Sequence, residues 1–183
     1  MNKKLTTKYV NNAELYKVMK KYIREVREAD ECGDEPPKMP NEVGLAIYQI
    51  ANRLAYKHNF INYPFREDMI SDGMESAVQA APKFDPDRTE NPFAFFTQTI
   101  HWAFIRRIQK EKKQLYIRYK VIENSVLSGT AFETSDHSDE GTSGYIDLNN
   151  DYMVDFVEKY ENTMEEKKKI VKDKKKGLEK FME

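Results

Sequence analysis

Residues 91–113 read Asn91-Pro92-Phe93-Ala94-Phe95-Phe96-Thr97-Gln98-Thr99-Ile100-His101-Trp102-Ala103-Phe104-Ile105-Arg106-Arg107-Ile108-Gln109-Lys110-Glu111-Lys112-Lys113. An asparagine followed by a proline opens a helix: the amide caps, and proline at the first turn gives up only an N–H that has no partner there. On a helical projection Phe93, Phe96, Ile100 and Phe104 fall on one side, which is a core stripe. Phe95, Thr99, Trp102, Arg106, Lys110 and Lys113 fall on nearly the opposite side. A solvated face does not ordinarily hold Phe and Trp, and a core face does not hold Arg and two Lys. Rings interleaved with cations suit single-stranded nucleic acid, whose bases stack while its phosphates pair with the basic groups. Packing of Phe95 and Trp102 on a neighbouring helix, with Arg106 covering them, explains the same pattern equally well.

Working outward, Pro82 to Asp87 is a break, and a helix from about Phe65 precedes it, with Met69, Ile70, Met74, Ala77 and Val78 on its buried side. Gly73 inside that helix costs about 1 kcal/mol relative to alanine, so a close-packing reason is expected. A helix from Asn41 to Lys57 has the stripe Val43, Ala46, Ile47, Ile50, Ala51, Leu54 and Ala55. At the N-terminal end Asn12 reads as a helix cap before Leu15, Val18, Met19, Tyr22, Ile23 and Val26, about four turns that stop at the Asp30 to Pro37 linker. Beyond the quoted stretch the helix is expected to end between Lys113 and Tyr119. Residues 128–151 read as a polar tether. Tyr152 to Tyr160 reads as a short amphipathic helix, and any helix over 161–176 is solvated. The expectation is an all-α chain with no strand. Its parts are an N-terminal helix and linker (1–40), a helical core domain (41–120), an acidic linker (121–151) and a C-terminal partner-docking tail (152–183).

The chain has 183 residues, with 30 Lys+Arg against 31 Asp+Glu. That near-neutral total hides segregation. Residues 1–29 hold 8 basic and 3 acidic residues, 106–120 hold 7 and 1, and 133–161 hold 1 and 9. Alternating blocks point to partners of opposite charge. For the terminal blocks a merely solvated face is the simpler reading. No run approaches the ~20 apolar residues of a membrane span, and no apolar h-region argues for secretion. One cysteine, Cys32, excludes a disulfide framework and a Cys-based zinc site. His58, His101 and His137 share no metal-ligand spacing, and no nucleotide-loop or hydrolase motif is present. Asp68 and Asp72, with Glu67 and Glu75, could bind a divalent cation as in a metal-dependent nuclease. An acidic face docking a basic partner is the better reading. The chain is expected to be no enzyme, with no catalytic residue, metal or cofactor.

The run Asp68-Met69-Ile70-Ser71-Asp72-Gly73, followed by Lys83-Phe84-Asp85 and then by the Phe93 to Arg107 helix, resembles the second conserved region of bacterial sigma factors. The resemblance covers roughly residues 41–113. With Tyr9-Val10-Asn11-Asn12 and no long apolar stretch after residue 120, the whole chain is similar to the late-transcription sigma factors of T-even bacteriophages. The resemblance implies that Asp68, Ser71, Asp72 and Gly73 dock on the clamp coiled coil of bacterial core RNA polymerase, with Glu75 joining them from the same acidic face. It implies that this helix holds the melted non-template strand of an A·T-rich late promoter: Phe93 and Phe96 match the family's base-capturing aromatics and Arg106 and Arg107 its arginine end, while Phe95, Thr99, Trp102, Lys110 and Lys113 join them from the ring-and-cation face. Ser71 replaces the family's usual Gln. Thr99-Ile100 replaces its Trp-Trp pair, and Ala103 and Arg106 replace its base-reading Gln and Thr, so sequence preference should differ. Leu178, Phe181, Met182 and Glu183 would dock a phage sliding clamp or coactivator, and Tyr152 to Val157 the polymerase flap. Action in the cytoplasm of an infected bacterium follows. The competing reading is a stand-alone helical single-stranded nucleic-acid-binding protein.

Overall fold

The computed structural model describes residues 10–127 and 151–182, with side chains over 10–125 and 152–174. Every regular element among them is helical. These are α1 (Asn12–Cys32), α2 (Asn41–Ala55), α3 (Arg66–Ala80), a 3-10 turn (Ala81–Lys83), α4 (Pro92–Leu127) and α5 (Asp151–Met182). The tether expected at 128–151 lies outside the described residues except for Asp151, the first residue of α5. The chain divides into two compact units, Met1–Gln109 and Lys110–Glu183. The boundary expected at residue 120 is thereby moved into the middle of α4.

In the first unit the apolar stripes meet as the periodicity predicts, except that Val78, expected on the buried side of α3, lies at its exposed edge and is 43% exposed. Leu15, Met19, Tyr22 and Ile23 of α1 are buried with Val43, Ile47, Ile50 and Leu54 of α2, Met69 and Ala77 of α3, and Phe96, Ile100, Phe104 and Ile108 of α4. Helix α1, expected to stand with its linker as a separate segment, is thus part of this core. Its cap is Asn11 rather than Asn12: the Asn11 side chain accepts from the Ala13 N–H. Asn12 is released for tertiary work. Its Oδ1 accepts from the Phe93 N–H at 3.2 Å, and its Nδ2 donates to the Glu90 carbonyl at 3.4 Å. Asn91 caps α4 as expected, accepting from the Ala94 N–H, while its carbonyl accepts from the Phe95 N–H. Helix α1 also runs on past Asp30 to Cys32 and stops at Gly33, whose φ of +73° is the left-handed conformation that closes helices. Exposed acidic residues do not end a helix, whereas that glycine does.

The mid-helix glycine has the expected packing cause. A Cβ on Gly73 would sit 2.7 Å from Phe104 Cε1 and 3.0 Å from Ile100 Cγ2. Both side chains are fully buried, so neither has room to give. The glycine lets α3 approach α4 closely.

In the second unit α4 continues to Leu127, beyond the expected end, because no glycine or proline intervenes before Gly129. Helix α5 is likewise longer than the short helix expected, and residues 162–174 are exposed, as a helix charged all round requires. The two helix segments meet through rings. Tyr116 stacks on Tyr160 at 4.6 Å, and Tyr119 meets Phe156 edge-on at 5.6 Å. The Tyr116 hydroxyl donates to Glu161 at 2.9 Å, and Lys120 lies 3.3 Å from the same carboxylate. Phe156 is therefore engaged within the unit, while Tyr152 and Val154 of the expected flap contact are exposed.

Two outcomes are expected. Gly73→Ala gains up to about 1 kcal/mol of helix propensity but overpacks the core at a cost of about 1–3 kcal/mol. Its urea midpoint should fall, and an unchanged or higher midpoint would refute the close-packing role. The Tyr116 hydrogen bond, then the Lys120 hydrogen bond, hold the Glu161 carboxyl below the usual glutamate range. A depressed folded pKa stabilises above the unfolded value and is lost as pH falls through the folded one. Amide protection factors over 112–120 should therefore fall on acidification below about pH 4.3, and Glu161→Gln should remove that dependence.

Candidate nucleic-acid interface

The ring-and-cation side of α4 is only partly open. Trp102 is 54% exposed and is steadied by His101, edge-on at 5.9 Å, which in turn meets buried Phe60 at 5.5 Å. Arg106 is exposed and donates to the Ser76 hydroxyl at 3.1 Å. Thr99 is half-buried and donates its hydroxyl to the Phe95 carbonyl. Phe95 corrects the expected exposed stripe. It is half-buried, edge-on to Phe84 at 5.4 Å and to Phe96 at 5.4 Å. Packing on a neighbour accounts for Phe95 but not for Trp102. Lys110 and Lys113 are exposed on the part of α4 that belongs to the second unit.

Phe96 is also corrected as a strand contact: it is fully buried in the core. Phe93 is half-buried and lines a small cavity of about 60 Å³ with Gln49 and Arg53 of α2, Lys57 of the turn that follows it (α2 stops at Ala55, two residues before the expected end) and Thr97 of α4. Those four lining residues had no place in the sequence argument. The visible signal was the spacing of Arg53 and Lys57 on the polar side of the helix expected to run to Lys57.

The acidic face of α3 differs most from expectation. Arg107, placed by sequence among the strand contacts, reaches across to α3 instead. Its two terminal nitrogens lie 3.0 Å from Asp68 Oδ2 and 3.2 Å from Asp72 Oδ2. The arginine side chain is 18% exposed, against 58% and 39% for the aspartates. A fork that splits between carboxylates one turn apart is a fixed, charge-assisted contact. Both aspartates keep an open side, but their charge is partly neutralised. The pair is therefore a poor divalent-cation site, because a guanidinium already occupies the position a metal would need. Among the described residues no three His, Cys, Asp or Glu converge on a metal-sized site. Gly73, expected at the polymerase surface, is buried against α4. Ser71 and Glu75 are exposed, and Glu75 accepts from Gln79 at 3.1 Å.

Of the C-terminal docking residues, Leu178, Phe181 and Met182 fall on α5, but their side chains lie outside the described residues, as does all of Glu183. No helix among the described residues is long and apolar enough to cross a membrane.

The stripe on α4, the acidic edge of α3 and the buried glycine between them lie within one matched segment. Residues 45–114 match the sigma-70 region 2 family model. No curated protein matches the chain. The match spans α2, α3 and the first two-thirds of α4 and leaves out α1 and α5. Sigma-70 region 2 is not a catalytic domain: it serves transcription initiation, by binding core RNA polymerase and melting promoter DNA. Residues 45–114 of this chain, from α2 into α4, are thus similar to sigma-70 region 2.

Proposed function

We propose that the chain is a compact sigma factor of phage late-transcription type, which brings bacterial core RNA polymerase to A·T-rich promoters and holds the melted non-template strand. The observation that supports it best is the exposure of Trp102 beside Arg106 within the matched domain. An exposed indole is a stacking platform, worth about 1–3 kcal/mol per base. Arg106 keeps donors beyond its Ser76 contact for a phosphate. Phe93, which lines one cavity with Arg53 and Lys57, offers a second ring near cations. No bond is made or broken by the protein. Strand opening is driven by trapping unstacked bases and by phosphate contacts.

Polymerase docking falls to the outer edge of α3. Ser71 and Glu75 supply it directly, and Asp68 and Asp72 present their remaining oxygens from the Arg107 fork. The phage assignment is supported by the sequence alone, through Tyr9-Val10-Asn11-Asn12 and the Leu178, Phe181, Met182 and Glu183 end, which would engage a sliding clamp. The site of action on this reading is the cytoplasm of the infected bacterium.

A stand-alone single-strand binder would use the same Trp102 and Arg106 surface without needing the α3 edge. Run-off transcription with purified core polymerase separates the two readings. Addition of the chain should produce promoter-dependent transcripts, whereas the second reading predicts none. Trp102→Ala should leave polymerase association intact and cut open-complex formation about 5- to 160-fold, the range that loss of one stacked base implies. Wild-type permanganate reactivity of promoter thymines in that variant would remove Trp102 from the strand interface. Ser71→Arg with Glu75→Lys should abolish co-elution with core polymerase, and unchanged co-elution would overturn the docking edge. Both positions are exposed, so the fold is not at stake.

A further inference from the structure

The family match begins at residue 45, so it says nothing of α1. That helix has a charged surface which the melting role does not use. Lys17, Lys20, Lys21, Arg24 and Arg27 line an open groove of about 430 Å³, whose other wall is Pro86 and Asp87 of the loop before α4. The two walls are tied together. The Arg27 guanidinium forks onto Asp85 and Asp87, at 3.1 Å each, and the Tyr16 hydroxyl donates to the Pro86 carbonyl at 3.2 Å. Arg27 is therefore the fastener of the groove and not a free ligand group.

The other four cations remain available. Lys21 and Arg24 have only loose contacts to Glu25 and Glu28, at 3.8 and 3.7 Å and in the open, and such exposed pairs contribute little. Among the described residues Lys17 and Lys20 have no carboxylate partner, and the Lys20 ammonium lies 6.0 Å over the Tyr16 ring. Lys17 with Lys21, and Lys20 with Arg24, stand at i, i+4 spacing, where like charges repel. An external anion relieves that repulsion.

We infer that the groove between α1 and the Pro86–Asp87 loop is a binding site for the phosphate backbone of duplex DNA, separate from the single-strand surface on α4. From Lys17 to Arg24 the helix rises about 10 Å, and a duplex presents about six phosphate charges over that length of its axis. No aromatic ring is open to the groove: the adjacent Tyr16 is held to the Pro86 carbonyl by its hydroxyl and has the Lys20 ammonium over its ring. Single-strand sites draw on base stacking as well as charge, so a groove of cations without open rings reads the backbone alone. A membrane surface does not fit. The apolar side of α1, with Leu15, Met19, Tyr22 and Ile23, is already buried in the core and leaves no face to insert into lipid.

The test uses the full chain with a labelled duplex of about 30 bp and the corresponding single strand, each titrated over a range of salt concentrations. Lys17→Gln with Lys20→Gln and Lys21→Gln should weaken duplex binding tenfold or more at low salt. It should also make the slope of log affinity against log salt shallower by about 2–3, because three phosphate contacts are lost. The single-strand affinity should change far less, and Trp102→Ala should show the reverse preference. The matching Lys→Arg triple variant keeps the charges and should bind duplex as the parent does. All three lysines are exposed, and unfolding midpoints of both triple variants should match the parent. Failure of the parent chain to bind duplex at low salt overturns the inference. So does an unchanged salt slope in the Gln variant, or an equal loss for both strands. None of these outcomes depends on polymerase, so the inference and the proposed melting role fail separately.

Discussion

The contact of Gly73 with Phe104 and Ile100 sets the geometry of the first unit. With no Cβ in the way, α3 lies against α4 at a separation that any other residue would forbid. Asp72 adjoins the glycine in sequence, and Asp68 stands one turn before Asp72. Arg107 stands one turn beyond Phe104 on the facing helix. Once the two helices are this close, the guanidinium falls between the two carboxylates. Trp102 and Arg106, on other sides of the same turns, are held outward as a consequence. One missing methyl group thus decides which of the charges on this chain are internal and which are offered to partners.

This division changes the meaning of the charge blocks. The basic run that begins at Arg106 looked uniform, yet its second residue is spent inside the domain. The acidic run on α3 looked like a bare docking face, yet half of it is met by that same arginine. Partly neutralised aspartates are easier to desolvate against a partner than bare ones, because one opposite charge is already in place. The proposed docking edge is therefore a composite of α3 and α4 rather than a helix acting alone.

The helices and their buried stripes were legible in the sequence, because a 3.6-residue period of apolar residues survives any detail of packing. So was Gly73, since a glycine in the middle of a good helix needs a reason. The cap position was misplaced by one residue because Asn11 and Asn12 have equal capping chemistry, and only the tertiary bond from Asn12 to Phe93 separates them. The ends of α1 and α4 were placed too early: α1 runs on through Asp30 to the residue before Gly33, and no glycine or proline interrupts α4 before Gly129, so its exposed charged turns, which are good helix formers, continue the helix. Phe95 and Arg107 were misassigned for a common reason. A helical projection shows the sides of one helix but not the loop or helix that each side meets. Phe84 claims one of them, and the Asp68–Asp72 pair claims the other.

The start of α4 bears on how this protein can hold an anion at all. Helix beginnings commonly grip phosphate through unpaired backbone N–H groups and the positive end of the dipole. Here Pro92 has no N–H, and those of Phe93, Ala94 and Phe95 are taken by the Asn12 side chain, the Asn91 side chain and the Asn91 carbonyl. The amide cradle is closed from within. Nucleic acid passing this end of the domain meets no ready-made backbone nest, so any grip on it there must come from flexible side-chain tips. Such a grip slides easily from one phosphate to the next, as the proposed strand-melting role requires.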